Sequence, residues 1–232
     1  MGRKKYYAEH SLYVYGSLAV VGGFLETFTY FHHAGVFSNA QTGNVVLMAV
    51  ELAGGEFMQA LMHLISIAAY VLGILLSAIL IDHVRPPHRH CLVCLGEIIW
   101  LCLISLFPET WPHVVTYASV SLLCGLQYNI FTECHDTVLA TTFCTNSLRQ
   151  LTLNLYNGIL SRDSAKLRKS GVYALIVLFF AAGAVGGALV VQTGLGNLSV
   201  FFCAAFLVPV FAVLLNRCIR AGKKPCMPEE GV

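Results

Sequence analysis

Charge is what this chain lacks. Only 11% of its 232 residues are Asp, Glu, Lys or Arg, against 57% hydrophobic. A soluble domain carries roughly 25% charged residues, so there is too little charge here to cover a globular surface in water. With a mean hydropathy of +0.72, the composition predicts an integral membrane protein. A net charge of +2 gives no reason to expect a nucleic-acid partner. The motifs of the common enzymes are missing too. No phosphate-binding glycine loop, no Gly-x-Ser-x-Gly and no His-Glu-x-x-His occurs, so the chain is read as a non-enzyme without a cofactor. Nine cysteines are scattered through apolar sequence, where a thiol serves as a small apolar side chain. Cys91-x-x-Cys94 has metal-ligand spacing, but no second cysteine pair completes a site, and no metal is expected.

What is present is apolar sequence in long runs. Six stand out, at about 12–31, 57–81, 91–107, 112–133, 171–193 and 198–218. Most are long enough for a hydrocarbon core about 30 Å thick. The basic start, Met1 to Lys5, precedes the first run as it would in a signal peptide. The run carries Glu26 and no small-residue cleavage site follows it, so it is expected to stay as a first span.

Two further segments are helix-like but polar, 38–53 and 141–158. The second carries Arg149, and a central Arg facing lipid costs about 2.5–3.5 kcal/mol on insertion scales. The positive-inside rule separates two topologies. Apart from Arg149, Lys and Arg occur only in the N-terminal tail, in loops 82–90 and 159–170, and from Arg217 onward. Loops 108–113 and 194–197 have none. If only the six long runs span, every basic segment is cytoplasmic, and so are both termini. If all eight segments span, Arg85 and Arg89 move outside. The six-span reading is preferred, with 38–53 and 141–158 as re-entrant or half-helices.

The chain also repeats itself. Sliding Gly22–Gly55 by 103 positions places Gly22 on Gly125, Phe28 on Phe131, Thr29 on Thr132, His32 on His135, Thr42 on Thr145, Leu52 on Leu155 and Gly55 on Gly158. A later glycine cluster corresponds at an offset of 110, Gly73 on Gly183. The reading is one membrane domain over 1–232, with repeat halves at about 11–107 and 112–218 and a cytoplasmic tail at 219–232. Three spans per half make the repeats inverted, and eight spans in total would make them parallel.

Polar residues at membrane depth are the candidate functional residues. Glu26 lies in the middle of the first span, with Asn129 as its expected mate in the repeat. Asn39, Gln41, Thr42, Gly43 and Asn44 are expected to line a polar path, and so are Thr145, Asn146 and Arg149 from the second segment. Glu26 is expected within reach of Thr145 and Arg149. His32 and His135 lie at equivalent helix ends, where a pH-sensitive gate would sit. Glu97 is a further buried carboxyl.

At Gly22-x3-Glu26 and Gly35-Val36-Phe37-x4-Thr42-Gly43-Asn44 the chain resembles the YoaK-like family of bacterial membrane proteins. Gly125-Leu126-Gln127-Tyr128-Asn129 and the stretch from Thr141 to Arg149 are similar to it as well. The family usually has Asp where this chain has Glu26, and Thr-Gly-Asn or Thr-Gly where it has Thr145-Asn146-Ser147. The resemblance implies a bacterial plasma-membrane protein and no particular activity. Duplication with interrupted segments in matching positions points to a small-solute or ion transporter or channel, its site at the midplane between the repeats. The alternative is a non-transporting membrane protein that binds a partner or assists assembly. The bilayer and a small solute or ion are the expected partners.

Overall fold

A computed structural model describes residues 11–134, 137–138 and 144–222. Among these the chain forms eight α-helices: α1 Leu12–His32, α2 Gln41–Gly54, α3 Phe57–His83, α4 His88–Ser105, α5 His113–Ile130, α6 Cys144–Leu160, α7 Ser164–Val191 and α8 Phe201–Gly222. A 3-10 turn, Gly196–Val200, leads into α8. Between α5 and α6, Glu133–Cys134 pairs antiparallel with Thr137–Val138.

Five segments are long and apolar enough to cross a membrane: α1, α3, α4, α7 and the stretch Gly196–Arg220 that contains α8. The chain is thus a helical membrane protein by length and composition. The fourth predicted span, 112–133, forms α5 but falls outside those five. Its 18 residues include Thr116, Ser119, Ser121, Gln127 and Asn129, which dilute its apolar character.

Small residues set the closest helix contacts, because lipid offers no hydrophobic drive and packing has to supply the attraction. α1 lies along α7 and α3 along α5. A Cβ on Gly23 would strike the Phe180 carbonyl oxygen, and one on Gly183 would strike that of Val20. In the other pair, a Cβ on Gly125 would strike the Tyr70 oxygen and one on Gly73 that of Leu122. Both pairs run parallel. Gly16 faces Phe179 and Gly187 faces Phe24, while Ser66 bonds Ser121 at 2.8 Å and Asn129 bonds Ser77 at 2.9 Å.

Hydrogen bonds gather several helix ends at one end of the bundle. His33, just after α1, meets His113 at the start of α5 at 3.1 Å and Asn197 before α8 at 3.0 Å. The Asn197 side chain donates to the Phe107 carbonyl, just beyond α4, at 3.1 Å. At the opposite end Cys91, early in α4, lies against Cys218, late in α8. All the basic residues of the described loops and of α8's last turns, from Arg85 to Arg220, lie at that opposite end. We call the two the histidine end and the basic end.

α2 and α6 are the two shortest of the eight helices. α2 has 14 residues, about 21 Å of helix, too short for a 30 Å core. It begins beside Glu26, inside the bundle, and returns to the histidine end. There Gly55, at φ 82°, turns the chain into α3. α6 lies against α7, with Gly158 on Leu167 and the Ser170 hydroxyl donating to the Leu151 carbonyl at 2.9 Å.

Candidate functional site

The site is built where the chain leaves α1, reverses and starts α2. Ala34 and Gly35 both take left-handed backbone, φ 60° and 72°, which turns the chain back into the bundle. The returning loop then meets Glu26, six residues before α1 ends. Its Oε2 accepts the Ser38 hydroxyl at 3.0 Å and the Asn39 backbone N–H at 2.7 Å, and its Oε1 accepts the Ala40 N–H at 3.0 Å. Ala40 is the N-cap of α2 and offers no side-chain cap of its own. The first N–H groups of a helix have no partner within it. Here a carboxyl from another helix supplies one, where the helix dipole favours negative charge.

The rest of the loop is held as tightly. Asn39 donates to the Gly22 carbonyl of α1 at 3.2 Å, and Gln41 donates to the Ser38 carbonyl at 2.8 Å. Asn44 grips Phe37 at both backbone groups, accepting its N–H at 3.0 Å and donating to its carbonyl at 2.7 Å. The same amide reaches Gln41 at 2.9 Å, Ser66 at 3.2 Å and His63 at 3.2 Å. Asn44 therefore ties the loop, α2 and α3 together. Gly43 is needed for the Phe37 ring, which lies where a Cβ would be. Thr42 faces outward and is exposed.

Other polar groups surround this capped turn. Cys124 of α5 lies against Ser38 and Asn39. Cys144, at the start of α6, and the Tyr70 hydroxyl are both within electrostatic reach of Glu26. The Tyr70 hydroxyl and the Asn39 Oδ1 are buried without a hydrogen-bond partner among the described residues. The centre of the bundle thus holds a satisfied carboxyl beside unsatisfied polar atoms.

Several expected positions lie elsewhere. Asn129 sits on the α3 side of α5 and donates to the Ser77 hydroxyl, so it joins two helices. Thr145, Asn146 and Arg149 are exposed on α6, and none of the hydrogen bonds to Glu26 comes from them. The helix whose start bonds Glu26 is α2, because a turn of eight residues brings that start back onto α1. His135 lies outside the described residues.

His32 bonds Glu109 at 3.0 Å, but the buried histidine of the pair is His33, 2% exposed. Burial, then the neighbouring His32 and His113, push the His33 pKa down to about 4, against the Asn197 hydrogen bond and Glu109. Burial also opposes charge on Glu109. Hydrogen bonds from the Asn197 N–H, at 2.6 Å, and from His32 outweigh it and hold that carboxyl below the usual range. Sequence reasoning missed His113, Glu109 and Asn197. All three lie in or beside connections that carry no basic residue, and only the fold brings them to His33.

Among the described residues no group of three or more His, Cys, Asp or Glu side chains is placed to hold a metal ion. No curated protein and no solved structure matched the chain. A family model matched residues 15–214, from the first turns of α1 to within α8. The chain belongs to that family, described as a protein of unknown function, DUF1275.

Proposed function

We propose that this chain is a six-span membrane protein of inverted repeats that moves a small solute or ion past the α2 turn. The observation that carries the reading is α2 itself, a half-helix whose N-terminus stops beside Glu26 inside the bundle. Broken helices that end at mid-depth form the binding sites of many secondary transporters. Backbone of this kind is tolerated in a membrane only where protein or a water-filled cavity surrounds it.

The helix contacts support inversion. Replacing each α1 residue by the α5 residue 102 further on, and each α3 residue by the α7 residue 110 further on, exchanges the two glycine seams. Gly23 becomes Gly125, Val20 becomes Leu122, Gly73 becomes Gly183 and Tyr70 becomes Phe180. The Thr27–Gly187 contact becomes the Asn129–Ser77 bond. This register favours 102 over the 103 read from the sequence, so Thr27 takes the place of Glu26 as the partner of Asn129. α1 ends at the histidine end and α5 begins there, as inverted halves require. α5 serves as the sixth span, its polar face turned to protein. With the basic residues gathered at one end, the positive-inside rule puts that end and both termini in the cytoplasm. The YoaK-like resemblance fits a bacterial plasma membrane.

Solute flux tests the proposal. Purified protein in liposomes should pass at least one class of small ion or solute, and Asn39→Ala should alter that flux. Proteoliposomes as tight as protein-free vesicles to a panel of inorganic ions, organic acids, amines and amino acids would reject it. One observation favours the alternative of a partner-binding protein. Arg149 is exposed on α6 beside Thr145 and Asn146, and a second membrane protein would cover such a face.

A further inference from the structure

Among the described residues two carboxyl groups are buried in the bundle, and their surroundings are opposite. Glu26 receives three hydrogen bonds. Glu97, in the middle of α4 and 2% exposed, receives none: both its oxygens are buried without a partner among the described residues. Three thiols feel it. Cys94 precedes it by one turn on α4, Cys124 faces it from α5 and Cys203 from α8. His90 lies two turns earlier on α4, its ring against Phe131 at 5.1 Å. Glu26 acts on Cys124 as Glu97 does, so this thiol feels both carboxyls. Among the described residues no basic side chain is recorded as acting on Glu97.

A carboxylate with neither donor nor counter-charge in a dry helix seam loses its hydration and regains nothing. A proton removes the charge and turns one oxygen into a donor. We propose that Glu97 is a proton-binding site, a carboxylic acid that holds its proton in the resting protein at neutral pH. Glu26, already filled by the start of α2, is the structural acid of the pair. This assignment stands whether or not the chain transports a solute.

Infrared spectroscopy of the full chain in lipid tests it. At neutral pH the wild type should show the C=O stretch of a protonated, buried carboxyl, above the carboxylate bands and shifted down in D2O. Glu97→Gln should abolish that band, and Glu97→Asp should move it while keeping it. Should Glu97→Gln fail to fold, the Asp variant still decides the assignment. Absence of the band in the wild type at neutral pH would overturn the proposal. So would its persistence unchanged in Glu97→Gln, or an unmoved band in Glu97→Asp.

Discussion

Glu26 Oε2 accepts the Asn39 backbone N–H at 2.7 Å, a contact between the middle of one helix and the threshold of the next. It makes Glu26 the cap that α2 lacks within its own sequence. Capping side chains usually come from the N-cap residue itself, and their loss costs about 0.5–2 kcal/mol. Here the cap is buried and has three donors, so more is at stake.

Glu26→Ala should destabilise the protein by roughly 3 kcal/mol or more, because it strands Ser38, Asn39 and Ala40 in the interior. Glu26→Gln keeps one carbonyl oxygen and should cost less, about 1–3 kcal/mol. Thermal unfolding in detergent ranks the variants. Equal loss in both would mean that the charge, rather than the hydrogen bonds, holds α2 in place.

The glycine seams make a second test. At Gly183 a Cβ meets the Val20 backbone, and backbone cannot swing aside as a side chain can. Gly183→Val and Gly73→Val should each cost about 1–3 kcal/mol or prevent assembly, as overpacking does. Gly186, three residues along α7, has open space where its Cβ would go. Gly186→Ala should be neutral or stabilise by up to about 1 kcal/mol through helix propensity. Similar losses at Gly183 and Gly186 would contradict the α1–α7 register.

His33 should give the protein an acid-sensitive end. Its Nε2–H donates to Asn197, which leaves Nδ1 to accept from His113. Protonating His33 sets N–H against N–H and buries a cation. The folded pKa of about 4 lies below the ordinary 6.5, so the unfolded chain takes up this proton first. The stabilisation is therefore complete above about pH 6.5 and is lost as pH falls toward 4, about 3 kcal/mol in all. Melting temperatures across this range should fall less steeply for His33→Gln, which keeps a donor for Asn197. A variant profile parallel to the wild type would remove His33 as the cause.

The broad layout was legible before the fold, and the facing of single side chains was not. Long apolar runs announce helices whatever their neighbours, and polar residues set 38–53 and 141–158 apart from them. The segment 38–53 was read as a re-entrant or half-helix, and a helix of 14 residues, Gln41–Gly54, forms there. Glu26 was expected to lie inside and against a polar segment, and it does. The hydrogen bonds to Glu26 come from the start of the first polar segment, while the second reaches it only electrostatically through Cys144, and nothing in the residues says which of the two would bond it. The proposed repeat register differs by one residue from the one read in the sequence, for a related reason. A slip of one turns a helix by 100°, which leaves the apolar pattern nearly intact yet points Asn129 at Ser77 rather than at the place equivalent to Glu26. The cluster around His33 was invisible, since its members come from three connections up to 164 residues apart.

Topology is the prediction on which the six-span reading depends most directly. Arg85 follows α3 and Thr110 follows α4, so a single span separates them, and both are exposed. In intact cells an impermeant thiol reagent should label Thr110→Cys, while Arg85→Cys should react only after the membrane is opened. Wild-type protein sets the background, and Cys91, Cys94, Cys102, Cys124, Cys144, Cys203 and Cys218 are all buried or half-buried. The result separates the two topologies because eight spans would place Arg85 outside and Thr110 inside. Labelling of Arg85→Cys from outside would therefore make α2 a full span. Its 14 residues, about 21 Å of helix, would then have to cross a core about 30 Å thick, and the hydrogen bonds of Asn39 and Ala40 to Glu26 would have to break. Protection of Arg85→Cys with free labelling of Thr110→Cys is the outcome that the capped half-helix requires.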